Sequence, residues 1–455
     1  MEAPKKSITW SSHYLFILAS IGSSVGLSNI WKFTYLAGEN GGGAFVLVYL
    51  LSLLLMGIPV LAAEFLIGRR GRTGMVNSLS LLSDTDGISK SWTWFGWTGM
   101  TTVFLVLTFY CVIAGWTVDY FFTTLFGLGE SSSRNQIEAG EASRARFNEL
   151  LNSPLRMSVG QVIFLGATIW IVAMGIKKGL ESSVKWMMPL LFGILIALVV
   201  YSAVTADFSA AVRFLFTPDF EKINQEVILK AFGQAFFSLG IGVGVMLTYG
   251  AYMPEKSSIL PSAMIIAFSD GLASILAGLA IFPIVFGYGL SPAEGPGLIF
   301  TTLPVAFISM PAGNVVGSLF FLLLFIAALT SSISLLESII GHLEFKSGGY
   351  RKRITIIAGI LLWIIGIPSI LSFNLLADWK PFFGKNFFDA LDYLSSNLVM
   401  PICGILMAVV AGWALNQQAN RNEMQPISNG LYNLWLFLIR YFAPFILAML
   451  FITNL

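Results

Sequence analysis

Two short stretches hold most of the polar groups that could do chemistry in an otherwise apolar chain: GSSVGLSN at 22–29 and SLGIGVG at 238–244. Each puts glycine beside Ser or Asn in the middle of a long apolar run. A glycine inside a helix costs about 1 kcal/mol relative to alanine. Ser and Asn offer the backbone competing hydrogen bonds, so both stretches favour an interrupted helix. Such an interruption survives in a membrane only where it is buried in protein or lines a cavity. Its freed N–H groups favour an anionic group such as a carboxylate. Its freed carbonyls, with hydroxyl and amide oxygens, suit a hard cation. Close packing through small residues is the alternative for either cluster alone. Two clusters five helices apart argue for paired breaks around one site. Thr330 and Ser331 add hydroxyls in another apolar run, where bonding back to their own helix is the competing use. Glu64, Asp270 and Glu337 are acids at membrane depth, a costly placement that makes function the default hypothesis; for Asp270 the alternative is a protonated, hydrogen-bonded acid, and Glu337 reads as structural or as part of the cytoplasmic path.

The elements that must position these groups follow from composition. The chain has 455 residues, of which 56% are hydrophobic and only 11% charged, with a mean hydropathy of +0.80. About 25% charge is usual for a soluble domain. So few charges cannot cover a soluble surface of this size, which excludes a soluble enzyme and a disordered chain. A net charge of +2 excludes a nucleic-acid binder, whose basic patch is missing. The apolar runs are continuous rather than alternating, which excludes a β-barrel. Cys111 and Cys403 both lie in apolar stretches, so no disulfide framework or metal cluster is implied. No acid–base dyad accompanies the polar clusters, so the chain does not read as an enzyme.

The expected fold is therefore an all-α polytopic membrane protein. A crossing needs roughly 20 apolar residues. Eleven transmembrane helices are expected, at about 12–37, 42–68, 95–126, 157–175, 183–205, 229–253, 258–288, 313–342, 352–373, 387–414 and 431–453. With the N-terminus cytoplasmic, the inner loops carry about twice as many Lys and Arg as the outer ones, as the positive-inside rule requires. Eleven spans then put the C-terminus outside. The longest loop, about 127–156, reads as a polar surface cover.

The stretch SIGSSVGLSNIWKFTYLAGENGGGAF, followed by GIPVLAAEFLIGRRG, resembles the start of the neurotransmitter:sodium symporters. The likeness continues through GQAFFSLGIGVG, LPVAF and ALTSSIS and covers nearly the whole chain. It implies a single transporter domain, 1–455, with the leucine-transporter-like 5+5 inverted repeat. Residues 12–205 would form the first five-helix repeat, 229–414 the second and 431–453 an additional helix, with helices 1 and 6 broken. It also implies sodium-coupled symport of a small-molecule amino acid by alternating access.

Residue by residue, the resemblance implies a first sodium site of Ser24, Asn29, Ser238 and Asp270 with the substrate carboxylate. A second would use the Gly22, Val25 and Ala327 carbonyls and the Thr330 and Ser331 hydroxyls. The substrate pocket would comprise Ser24, Gly26, Leu27, Ser28, Val106, Tyr110, Phe237, Ser238, Gly240, Val243, Ser331 and Leu335. Monoamine carriers of the family have Asp where this chain has Gly26, so the substrate is expected to bring its own carboxylate. Apolar Val106, Val243 and Leu335 then suit a neutral, hydrophobic amino acid.

Asp270 stands where Asn is common, with Ser274 one turn on. Its charge would replace chloride, so no strict chloride requirement is expected beside the two Na⁺ ions. The outer gate would pair Lys32 with Asp392, above a lid of Phe237 and Tyr110. Lys32 replaces the usual Arg and lacks its bidentate fork. Glu64 would brace the break of span six. At the inner gate Ser7 falls at the usual Arg position, Trp10 matches a tail Trp, and Glu344 is the nearest acid. Gly179 and Pro189 form a G-x9-P spacing in span five. The expected partners are the amino acid and the bilayer, with no nucleic acid. The expected location is the inner (plasma) membrane, and the oligomeric state is left open.

Overall fold

A computed structural model describes residues 9–127, 136–292, 295, 297–347, 349–382 and 384–454. Among the described residues every regular element is helical, apart from an isolated bridge between Phe382 and Lys385. In chain order the principal helices are α1 (His13–Ser24), α2 (Ser28–Glu39), α3 (Gly43–Gly71), α4 (Trp92–Gly127), α5 (Pro154–Ala173) and α6 (Ile176–Thr205). There follow α7 (Gln225–Ser238), α8 (Val245–Ala251), α9 (Ile259–Gly287), α10 (Leu298–Ser309), α11 (Gly313–Ser347), α12 (Arg351–Leu371), α13 (Phe387–Ala414) and α14 (Asn429–Thr453). The longest loop carries a helix, Gln136–Leu151. Within it Ser143 donates to the Thr301 carbonyl at 2.6 Å, so this piece is docked on the bundle.

By length and apolarity, nine described helices can cross a membrane, and ten if the bent pair α1–α2 counts as one span. The bend there is 52°. The sequence predicts eleven. The missing one is the 229–253 stretch, present as α7 and α8, of 14 and 7 residues. Neither half is long enough to cross alone. The chain is thus a multi-pass helical membrane protein in which the two expected spans are interrupted where glycine, serine and asparagine cluster.

The bundle buries a layer around the breaks and shows apolar side chains to lipid. Leu190, Val200, Ile356, Ile360 and Phe437 are each at least half exposed. Such an apolar exterior is stable only in hydrocarbon. α4 runs along α11 and α5, and α3 lies against α8. Gly68 makes the last contact possible: a Cβ on it would stand 1.9 Å from the Leu247 carbonyl oxygen. This approach brings Glu64, one turn earlier, against the break of span six.

Candidate functional site

The first break runs through Val25, Gly26 and Leu27. The turn is closed from within: the Gly26 N–H donates to Asn29 Oδ1 at 3.0 Å, and the Asn29 N–H to the Gly26 carbonyl at 3.2 Å. The second break covers Leu239–Gly244. Gly240, Gly242 and Gly244 all have positive φ, at 61°, 90° and 79°, a conformation open to glycine and costly for other residues. Its free N–H groups are taken by a distant side chain. Glu64 Oε1 accepts from Gly242 at 2.6 Å and Oε2 from Leu247 at 3.1 Å. The bracing role expected of Glu64 is thus present in the geometry.

The groups expected at a first sodium site converge on Asp270, which is fully buried. Its carboxylate accepts from Asn29 Nδ2 at 2.8 Å, Ser238 Oγ at 2.8 Å and Tyr49 OH at 2.9 Å. Asn29 Nδ2 also reaches Ser274 Oγ at 3.0 Å. Among the described residues Asp270 has no ion pair, so three neutral donors are its protein partners. Ser24 lies in the same region, but its hydroxyl bonds back to the Ser20 and Ile21 carbonyls at 3.2 and 3.1 Å.

Residues of the second set meet across α1 and α11. Ser331 Oγ donates to the Ser23 carbonyl at 3.2 Å and to Ala327 at 3.3 Å. Thr330 Oγ1 bonds to Ala327 at 3.0 Å. A Cβ on Gly22 would lie 3.4 Å from the Thr330 Cβ. Val25 ends α1 with an extended ψ of 97°, which turns its carbonyl out of the helical ladder.

Above both sets is a cavity of about 500 Å³. All twelve residues expected to hold substrate line it, from Ser24 and Gly26 to Ser331 and Leu335. Its wall is mostly apolar. At the base the Tyr110 hydroxyl lies against Ser331 and the Leu27 backbone. A Cβ on Gly26 would stand 2.6 Å from Ser331 Oγ and 3.7 Å from the Tyr110 hydroxyl. The cavity continues upward past Trp116, Phe300 and Phe388 to Lys32, Asp389 and Asp392.

The expected gate pair differs from its simplest form. Lys32 and Asp392 both line the cavity but form no ion pair within 4.0 Å. Lys32 Nζ instead sits 4.1 Å from the centroid of the Phe237 ring. Asp392 Oδ1 accepts from Ser396 at 2.8 Å. An ammonium is a point charge on a flexible stem, and here the face of the lid ring attracts it.

The opposite end of the bundle is tied shut. Trp10 is buried; its N–H donates to the Tyr252 carbonyl at 2.9 Å and its ring meets Tyr249 edge-on. Ser11 N donates to Glu181 at 2.7 Å. Ser7 lies outside the described residues. Glu344 pairs with Arg351 at 2.8 Å, and the same guanidinium pairs with Glu337. Arg69 pairs with Glu423. In span five Gly175 has a φ of 84° and α6 opens with a wide π-type turn over Ile176–Glu181. That turn contains Gly179, and Pro189 lies inside α6.

Two residues of the site escape sequence reasoning. Tyr49 on α3 reaches Asp270, and Gln234 on α7 donates to the Ser28 carbonyl at 2.9 Å. The signal was there in kind: a polar tip within an apolar run needs a buried partner.

Two interrupted helices enclosing a mid-bundle cavity, with oxygen donors at its base, are an arrangement that secondary transporters use. The chain belongs to the sodium:neurotransmitter symporter family, whose model matches residues 7–159 and 148–455. It is 37% identical to an uncharacterized sodium-dependent transporter, YhdH, of Bacillus subtilis, over 99% of this chain and 98% of that protein. It is 31% identical to the sodium-dependent neutral amino acid transporter B(0)AT2 of Bos taurus, over 61% of this chain and 40% of that protein. The crystal structure of MhsT in complex with L-phenylalanine superposes with a TM-score of 0.88 at 39% identity, covering 98% of this chain and 100% of that one.

Proposed function

We propose that the protein is a sodium-coupled symporter that imports a neutral, hydrophobic amino acid by alternating access. The observation that carries this reading is the cavity base at Gly26. No acidic side chain stands there, and the Tyr110 hydroxyl, which reaches the Ala328 carbonyl, Ser331 and the Leu27 backbone, would turn with that backbone to a carboxylate brought by the substrate. Val106, Val243, Leu335 and Phe237 surround the space left for an apolar side chain. The phenylalanine bound to MhsT and the neutral amino acids in the name of B(0)AT2 support the same class.

In this reading two Na⁺ ions travel with the substrate. One is held by Ser24, Asn29, Ser238 and Asp270 together with the substrate carboxylate, which ties the two binding events. The other is held by the Gly22, Val25 and Ala327 carbonyls with Thr330 and Ser331. Asp270 supplies negative charge beside the first ion, so transport has no strict chloride requirement. The cavity open past Lys32 and Asp392, with the Trp10 end closed, is the outward-facing form. Lys32 and Asp392 close over the Phe237–Tyr110 lid when substrate binds.

Residues 12–205 and 229–414 act as the two repeats, with 431–453 outside them. The corresponding breaks in the first helix of each support that division. The N-terminus lies in the cytoplasm and the C-terminus outside, in the plasma (inner) membrane, as the Lys and Arg bias suggests.

The test is uptake of labelled amino acids into proteoliposomes. Accumulation above the bath concentration under an inward Na⁺ gradient is expected, and choline in place of Na⁺ abolishes it. Chloride-free buffer leaves uptake unchanged in the parent, and Asp270→Asn makes it chloride-dependent. Equilibration without accumulation would sink the coupled-transport reading. Loss of parental uptake without chloride would overturn the role given to Asp270.

A further inference from the structure

Apart from Lys90, Lys256 and Arg421, which lie on other loops, the described cations at the closed end of the bundle fall into two groups. Arg69, Arg70, Arg72 and Arg351 are each paired with an acid. Lys177, Lys178 and Lys185 near the start of α6, and Lys352 and Arg353 at the start of α12, are exposed, and none has an ion pair among the described residues. These two helix starts adjoin. Arg351 Nε donates to the Val172 carbonyl at 2.8 Å, and a Cβ on Gly175 would stand 3.8 Å from the same nitrogen.

The nearby acids are already engaged. Glu337 and Glu344 hold Arg351, and buried Glu181 accepts from Ser11. Five cations therefore share one edge of the bundle without compensation. The flanks of this edge face lipid: Trp170, Trp186 and Tyr350 are 66%, 75% and 69% exposed, with Leu190, Ile356, Ile357 and Ile360 deeper along the same helices. Exposed Trp and Tyr are the side chains that settle at headgroup level, and long Lys stems reach that level from deeper positions.

We propose that the edge formed by the α5–α6 turn and the start of α12 is a binding site for an anionic phospholipid. Its headgroup phosphate is met by Lys177, Lys178, Lys352 and Arg353, and its acyl chains lie on α6 and α12. A soluble anion would use the charges but not the aromatic and aliphatic flanks. A zwitterionic lipid would use the flanks but not the charges. The bound headgroup bridges the wide turn of Ile176–Glu181 to α12. That turn also carries Glu181, which holds Ser11, so the lipid stabilises the closed end of the bundle. The inference concerns the membrane edge alone and does not depend on which substrate is carried.

The experiment uses the purified full chain in neutral detergent. Dioleoyl phosphatidylglycerol, dioleoyl phosphatidylcholine or glycerol phosphate is added, and binding is read by native mass spectrometry. Each cation near an anionic headgroup is worth about five-fold in affinity. Phosphatidylglycerol is therefore expected to bind at least about ten-fold more tightly than phosphatidylcholine. The variant K177Q/K178Q/K352Q/R353Q is expected to lose that preference. K177R/K178R/K352R keeps it, as does the control K90Q/K256Q. The double variants K177Q/K178Q and K352Q/R353Q each lose part of it, which keeps the test decisive should the quadruple variant aggregate. Undiminished preference in the quadruple or both double variants would overturn the site. So would equal loss in the control, or displacement of the lipid by glycerol phosphate at equal concentration.

Discussion

The two breaks solve one problem in different ways. Each must satisfy main-chain groups that a continuous helix would pair. The first does so locally: Asn29 folds back on Gly26 within one turn, and its other end reaches Asp270. The second depends on another helix, since Glu64 from α3 accepts from the Gly242 and Leu247 N–H groups. The first break is therefore capped from within its own segment, which we expect to serve as a hinge between α1 and α2. The second is pinned to α3, as the close approach at Gly68 requires. A hinge and an anchor sit on the two sides of one cavity.

Removing the anchor has the largest expected effect. Glu64→Ala strands two buried N–H groups, each costing about 1–3 kcal/mol, so thermal unfolding should fall sharply and uptake vanish; Glu64→Gln should fall between. Equal melting of Glu64→Ala and the parent would remove the anchor from the account. Next comes Gly242→Ala. It forces a side chain into a φ of 90° and sets its Cβ 3.0 Å from the Met400 carbonyl and 2.6 Å from Phe236, for about 2–3 kcal/mol in stability. Gly240→Ala meets open space and should cost about 1 kcal/mol from its backbone conformation alone. The two melting curves side by side separate strain from crowding.

Asn29→Ala unties the hinge. A loss of about 1–2 kcal/mol in stability is expected, with Na⁺ half-saturation for substrate binding raised about ten-fold; a sodium titration reads it. Lys32→Gln is the mildest. The ammonium over the Phe237 ring is worth about 0.5–1 kcal/mol, so bound substrate should leave about two- to five-fold faster in a washout assay.

Both breaks were readable in the residues because a glycine's helix penalty is a property of the residue, not of its surroundings. The cavity lining rested on the family likeness, and geometry gathers all twelve of those residues. Other features needed three dimensions. Tyr49 and Gln234 act across helix interfaces, and only the rotation of α3 and α7 decides what their tips meet. Lys32 and Asp392 could be named as neighbours, yet their separation depends on where a flexible stem rests. The sixth expected span, 229–253, is present only as two helices of 14 and 7 residues, too short for either to cross alone. Arg351 answers the question left by Glu337 and Glu344, and nothing in the spacing of those acids identifies their shared cation.

The crowding at Gly26 also bears on how this protein could evolve. A carrier for amines lacking a carboxylate would need an acid at that position, but the first carbon of any side chain there would press on the Ser331 oxygen. That oxygen is itself committed to the Ser23 and Ala327 carbonyls. A side chain at that position therefore requires the Ser331 hydroxyl to rotate away and give up those bonds, so the path to a new substrate class runs through the neighbouring helix as well.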